Sequence, residues 1–156
     1  MILITIGTQL PFDRLIRIMD ELAPQLGEEI IAQIRGRDCK PRHIKTVDLL
    51  PPDKFAALFD RARIVVSHAG IGTILMALQK DKPIIIFPRI AALGEHRNEH
   101  QLATAKRFQK MGVLNVAWDE KELSEMLLGG KLAPQKHIGS AAAPSLIRAV
   151  EDFIDS

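Results

Sequence analysis

The chain has no tyrosine, one tryptophan and one cysteine among its 156 residues. Aromatic side chains make up only 4% of it, too few for the stacking platforms on which RNA-binding domains splay bases. The lone Cys39 can close no intramolecular disulfide and supply no cysteine-based zinc site, which fits a reducing compartment. Positive charge is not in surplus either. Lys and Arg number 21 against 19 Asp and Glu, a net charge of +2, so neither nucleic acid nor a polybasic membrane patch is indicated. No apolar run approaches the roughly 18–20 residues that a membrane helix needs. The opening Met1–Ile6 is too short for a signal-peptide core, with Asp13 and Arg14 close behind. These absences predict a cytoplasmic protein, and the length predicts one domain over 1–156.

What is present is the balance of a globular protein, 47% apolar and 26% charged. There is no internal repeat, low-complexity tract or linker. Short β-branched runs alternate with longer segments of helical periodicity. Strands are predicted at Ile2–Ile6, Glu29–Ile34, Ile44–Leu49, Arg63–Ser67, Pro83–Phe87 and Val113–Ala117. A helix opens at Asp13, repeats Leu15, Ile16, Met19, Leu22, Ala23 and Leu26 on one face, and meets Gly27 where a C′ glycine belongs. Further helices are predicted from Pro52 to Ala62, over Thr73–Gln79 and Glu99–Met111, and from an Asp119 cap to Leu128. Gly129–Ala143 reads as loop. A last helix from Pro144 carries Leu146, Ile147, Val150, Phe153 and Ile154 in an apolar stripe.

Strands apolar on both faces, alternating with helices, predict an α/β fold: a Rossmann-like, three-layer parallel sheet. Ligands in such sheets bind beyond the carboxyl ends of the strands, at a switch point. The informative loops therefore begin at Gly7, Arg35, Leu50, His68 and Pro88. Neither G-x-G-x-x-G nor G-x-x-x-x-G-K-[ST] occurs, which weakens dinucleotide-dehydrogenase and P-loop readings. Gly7 and Thr8 read either as a close backbone approach to a ligand with a hydroxyl donor, or as a plain tight turn.

Ser67-His68-Ala69-Gly70-Ile71-Gly72-Thr73 is more pointed. Two glycines at a strand-to-helix junction expose the first amides of the helix, and those N–H groups with the positive end of the dipole suit a diphosphate. Thr73 can add a hydroxyl and His68 a donor from the strand end. The plainer alternative is a glycine turn with a capping threonine and a satisfied histidine. The third loop crowds polar side chains into Glu95–Gln101, enough to hydrogen-bond several sugar hydroxyls. Its plainer alternative is a solvated helix start capped by Asn98, and both hold if His100 and Gln101 face the ligand. His96-Arg97-Asn98-Glu99-His100 also matches the H-x-x-E-H zinc pattern. Gly94 and the cap at Asn98 leave His96 before the helix, so the two histidines would not share a face. Cys39 lies beside Arg37 and Lys40, which would lower its pKa, although an incidental surface thiol is the simpler reading. Trp118 reads as packing.

Gly7-Thr8, Ser67–Thr73 and Gly94-Glu95-His96 with Asn98-Glu99-His100-Gln101 together resemble the C-terminal, donor-binding half of GT-B glycosyltransferases of family 28. The likeness is greatest to one-domain members. These are the donor-binding subunit of the eukaryotic dolichol-linked N-acetylglucosamine transferase and the bacterial exopolysaccharide subunits of the PssE type. The resemblance implies a UDP-sugar as substrate, with no metal or other cofactor. Its donor-binding residues would be Gly7, Thr8, His68, Gly70, Gly72, Thr73, Glu95, Asn98, His100 and Gln101. The diphosphate would sit on the Gly70–Thr73 turn, the sugar near His100 and Gln101, and the uracil near Arg35 and Leu50. Two positions depart from the family pattern: Met76 stands where relatives often have a ribose-binding glutamate, and His100 where many carry an acidic residue.

A GT-B enzyme needs two such domains, and the chain has room for one. The resemblance therefore implies a two-subunit inverting transferase with a membrane-anchored partner that binds a lipid-linked acceptor and supplies the general base. Such an enzyme serves exopolysaccharide or capsule synthesis. This chain would meet the inner face of the membrane only through that partner; the stripe in Pro144–Ile154 reads either as a final helix packed on its own sheet or, in part, as a docking element for the partner. The alternative is a non-catalytic nucleotide-sugar-binding enhancer of a partner transferase, and a stand-alone UDP-sugar epimerase or hydrolase ranks below both.

Overall fold

The structure, a computed structural model, describes residues 1–35 and 39–130, with positions 132, 144 and 148 besides. Its strands are β1 Ile2–Thr5, β2 Ile30–Gln33, β3 Lys45–Val47, β4 Ile64–Ser67, β5 Ile84–Ile86 and β6 Asn115–Val116. Its helices are α1 Asp13–Leu26, α2 Pro52–Arg61, α3 Ile71–Gln79, α4 His100–Met111 and α5 Glu120–Gly129, with a short 3-10 turn at Ala91–Leu93. All strand pairs are parallel, in the order β3-β2-β1-β4-β5-β6.

The pleat explains why the central strands are apolar on both faces up to the polar residues at their carboxyl ends, Thr5 and Ser67. In β1, Ile2 and Ile4 join a core with Ile64 and Val66 of β4, beneath α1 and α5. Leu3 points the other way, to a second core with Val65, Ile84 and Ile86 beneath α2, α3 and α4. Helices on both faces leave no residue of β1 or β4 exposed. Each fully buried Ile or Leu contributes about 1.5–3 kcal/mol relative to exposure.

Local chemistry sets the ends. Gly27 closes α1 in the left-handed region, φ 64°, with its N–H donating to the Ala23 carbonyl. Pro52 stands in the first turn of α2, where its missing N–H costs nothing. Asp119 accepts from the Glu122 N–H at 2.8 Å and caps α5. The predicted elements are all found over the described residues, with strands shorter by one to three positions at the ends. One shift matters for the site. The third helix begins at Ile71 rather than Thr73, so Gly72 and Thr73 lie within its first turn. The expected apolar stripe of Pro144–Ile154 and most of the Gly129–Ala143 loop lie outside the described residues.

The strand order has one reversal. The chain builds outward from β1 through β2 to β3, then returns to β4 on the opposite side of β1. The connections leaving β1 and β4 part in opposite directions and open a crevice at their carboxyl ends.

Candidate functional site

That crevice is a cavity of about 360 Å³, within the range of small-ligand sites. Its walls are the β1–α1 loop (Ile6 to Leu10), the β4–α3 junction (His68, Gly70, Gly72, Thr73), and Arg89, His96 and Gln101 from beyond β5.

The glycine turn has two functions, divided between its glycines. A Cβ on Gly70 would lie 2.3 Å from the His68 Nε2, and one on Gly7 would lie 2.7 Å from it. The imidazole thus fills the space that side chains at both positions would take, and Gly7 also has φ +77°. Gly72 differs. A Cβ there meets no atom within 4 Å, so the first turn of α3 presents bare backbone to the cavity. Gly70, the N-cap, offers no side chain to the leading amides of α3, which remain donors at the positive end of the helix. Burial, reinforced by the nearby Arg89 and His96 and opposed by a hydrogen bond with Thr5, pushes the His68 pKa down to about 4. At neutral pH its ring is uncharged, with one N–H and one bare nitrogen.

Arg89 is 2% exposed. Its guanidinium donates to the carbonyls of Ile6, Leu10 (2.7 Å), Pro11 (2.7 Å) and Glu95 (3.1 Å), and lies 4.7 Å from the Phe12 ring centroid. Burial, partly offset by Glu95, pulls its pKa below the usual arginine value, yet a guanidinium remains charged. A cation therefore lines the cavity, with its hydrogens spent on carbonyls.

Gln101 ties the walls together. Its Oε1 accepts from the Ala69 N–H at 3.3 Å and the Arg89 N–H at 3.0 Å. Two N–H donors on one atom require that atom to be the amide oxygen, which leaves the Nε2 hydrogens for the cavity that Gln101 lines. Arg35 and Leu50, where the uracil was expected, are not among the cavity's lining; the Arg35 guanidinium donates to the carbonyl of Thr8, which does line it, and Gln33 Oε1 accepts from the Leu50 N–H at 3.1 Å.

Of the expected donor-binding residues, the structure brings Gly7, Thr8, His68, Gly70, Gly72, Thr73 and Gln101 to one cavity. Glu95, Asn98 and His100 are not among its lining. Glu95 accepts from Arg14 Nε at 2.6 Å and Nη2 at 2.9 Å, and from the Ile90 N–H at 2.8 Å. That bidentate pair, with Arg14 4.5 Å from the Phe87 ring centroid, makes Glu95 a clamp of its loop. Asn98 Oδ1 accepts from the His100 N–H at 3.0 Å, and His100 is the exposed first residue of α4. Polar density within one segment cannot reveal a partner 81 residues away.

Gln9 and Arg89 line the cavity although no ligand-binding role was expected for them, and His96, expected only as one of the polar Glu95–Gln101 cluster, lines it too. Arg89 did carry a signal: it is the only charge in the apolar run Ile84–Ala92, and a charge held in such a run needs partners. His96 lies outside α4, so His96 and His100 do not share a helix face. Cys39 corrects another expectation. Burial, then Asp13 and Asp20, raise its pKa above the ordinary thiol value, and Arg17 opposes them only in part. Met76 packs against the second core, and Trp118 packs there with its Nε1 donating to Gln109 at 3.2 Å.

A six-stranded parallel sheet of this order, with an uncapped helix end at its switch point, defines a Rossmann-like unit of the kind that forms the C-terminal halves of GT-B glycosyltransferases. The chain belongs to glycosyltransferase family 28: residues 1–155 match the model of the family's C-terminal domain. Over 53 residues it is 43% identical to the UDP-N-acetylglucosamine transferase subunit ALG13 of Eremothecium gossypii, a match covering 34% of this chain and 24% of that relative. The fold is similar to the NMR solution structure of ALG13, with a TM-score of 0.66 at 20% identity over 99% of this chain and 96% of that one. It is also similar to the crystal structure of the glycotransferase of kitacinnamycin, with a TM-score of 0.62 at 18% identity over 92% of this chain and 36% of that one.

Proposed function

We propose that the crevice binds the diphosphate of a UDP-sugar and that the chain is the donor-binding subunit of a two-subunit inverting glycosyltransferase. One observation carries the reading. The bare first turn of α3, open at Gly72, faces a cavity lined by Arg89 and two histidines and, among the described residues, by no carboxylate side chain. Helix amides and a buried cation attract a diphosphate. Gln101 Nε2 offers a donor to the sugar, and the Arg35–Thr8 side offers backbone to the uracil.

In the reaction, an acceptor hydroxyl oxygen attacks the anomeric carbon as the bond from that carbon to the diphosphate oxygen breaks. UDP leaves with the bonding pair. The α3 amides and Arg89 receive the charge that develops on it, the task a metal performs elsewhere, so the proposal requires no metal. The hydroxyl proton needs a base. By resemblance to two-domain members of the family, that base belongs to the partner, a membrane-anchored subunit that also holds a lipid-linked sugar acceptor. In this reading the acceptor belongs to exopolysaccharide or capsule synthesis and this chain works at the inner face of the cell membrane, a reading supported by the likeness to bacterial exopolysaccharide subunits. The UDP-N-acetylglucosamine transferase subunit among its relatives is itself described as a subunit.

Transfer to a lipid-linked acceptor, assayed with this chain, with the partner, and with both, tests the division of labour. Transfer only by the pair is expected. Transfer by this chain alone contradicts it, and slow transfer by the partner alone makes this chain an enhancer.

A further inference from the structure

We propose that Arg89 is a positioning residue of the site: its guanidinium fixes the β1–α1 loop so that the amides of Gly7 and Gln9 are donors to the ligand's anionic group. The inference rests on the diphosphate reading above, and adds to it a second set of amides and the residue that sets them.

The β1–α1 loop does not hold itself. Among the described residues, no backbone group of residues 7–11 is hydrogen-bonded to another backbone group. Side chains take the loop carbonyls instead. Arg89 Nη2 donates to those of Ile6 and Leu10 and Nη1 to that of Pro11, while Arg35 donates to that of Thr8. A trans peptide points its N–H opposite to its C=O, and every peptide of the described loop is trans. Drawing the Ile6 and Thr8 carbonyls to guanidinia therefore turns the N–H groups of Gly7 and Gln9 the other way. Both residues line the cavity, and neither N–H has a partner among the described residues. Bare amides in a turn of this kind suit an anion.

The shape of Arg89 matters here as well as its charge. Both hydrogens of each Nη are committed, the fourth bond reaching the Glu95 carbonyl at 3.1 Å. None of them is left for a phosphate oxygen, so they act on the ligand through the loop. The fork is itself held in place. The Phe12 ring centroid lies 4.7 Å from Arg89 Cζ, and the Glu95 carboxylate is fixed by Arg14 of α1 and by the Ile90 N–H. A lysine at this position would keep the charge. Its three hydrogens on one nitrogen are too few, and too close together, for four carbonyls.

Amide-resolved NMR of the full chain titrated with UDP tests this. In the wild type, the Gly7 and Gln9 amides should shift and exchange more slowly once UDP binds. The four Nη hydrogens of Arg89 should give separate resonances with and without UDP, because carbonyls on all four stop the guanidinium from rotating. Arg89→Lys should show residues 7–10 more mobile than α1 in the free chain and bind UDP at least about tenfold more weakly. The salt dependence of its binding should match the wild type, because the charge is kept. Arg89→Lys with wild-type affinity and an ordered loop overturns the proposal. So does UDP binding that leaves the Gly7 and Gln9 amides unmoved, or a rotationally averaged Arg89 guanidinium in the wild type. Each of these leaves the diphosphate reading intact. If Arg89→Lys does not fold, the two wild-type readouts decide. A wild-type chain that fails to bind UDP contradicts the diphosphate reading itself, and this proposal with it.

Discussion

Three glycines of the site follow different physical rules. Gly7 and Gly70 make room for an imidazole, whereas Gly72 leaves open space at the cavity. Gly70→Ala should therefore lose about 1–3 kcal/mol of stability, the usual cost of overpacking. Its Cβ meets the His68 ring, which Gly7 hems in on the other side. A double-mutant cycle with His68→Ala, read by chemical denaturation, should show positive coupling, with the alanine at position 70 costing less once the ring is gone. Equal costs in both backgrounds would show that the ring is not the obstacle. The sequence shows two glycines at a strand-to-helix junction but not which of them faces the cavity, because that depends on where the His68 ring lies.

Among the elements, α1 does more than cover one sheet face. Its Asp20 carboxylate accepts from three successive amides ahead of β3, Arg42 at 2.9 Å, His43 at 2.7 Å and Ile44 at 3.2 Å. Partial burial alone would raise the Asp20 pKa, but the three amide bonds outweigh it, with His43 adding to them, and the value falls below 3.8. A depressed carboxylate pKa contributes stability that is present above the unfolded value and lost as pH falls through the folded one. Asp20→Asn should cost about 1 kcal/mol at pH 7, as a partly exposed set of charge-assisted bonds does. Its difference from wild type should shrink below about pH 4 in thermal unfolding. A difference that stays constant down to pH 2 would contradict the assignment. Elements of this kind were legible wherever periodicity and caps coincide, as at Asp13–Leu26 with Gly27 and at Asp119. The clamps were not. Arg14–Glu95 and the contacts of Arg89 with the β1–α1 loop join residues about half a chain apart, and no local pattern encodes them. Glu95 was expected at the ligand for this reason, and Arg89, hidden in an apolar run, received no role there.

At the scale of the molecule, the topology determines where chemistry can occur. Reversal of strand order at β1 and β4 brings three loops from distant parts of the sequence to one edge. Gln101 and Arg89 lock those loops together before any ligand arrives, which reduces the ordering cost of binding. The alternation of strands and helices revealed the parallel sheet, and the glycine junction marked the corner of the cavity where the proposal puts the diphosphate. The central claim is that this corner holds the diphosphate of a UDP-sugar, and calorimetric titration with UDP in the presence of EDTA tests it most directly. The wild-type chain should bind one UDP. Gly72→Val should bind it at least about tenfold more weakly, a loss of ~1.4 kcal/mol, with an undiminished unfolding midpoint, since the new Cβ meets no protein atom within 4 Å. A wild-type chain that does not bind UDP, or a folded Gly72→Val that binds it equally well, would contradict the account.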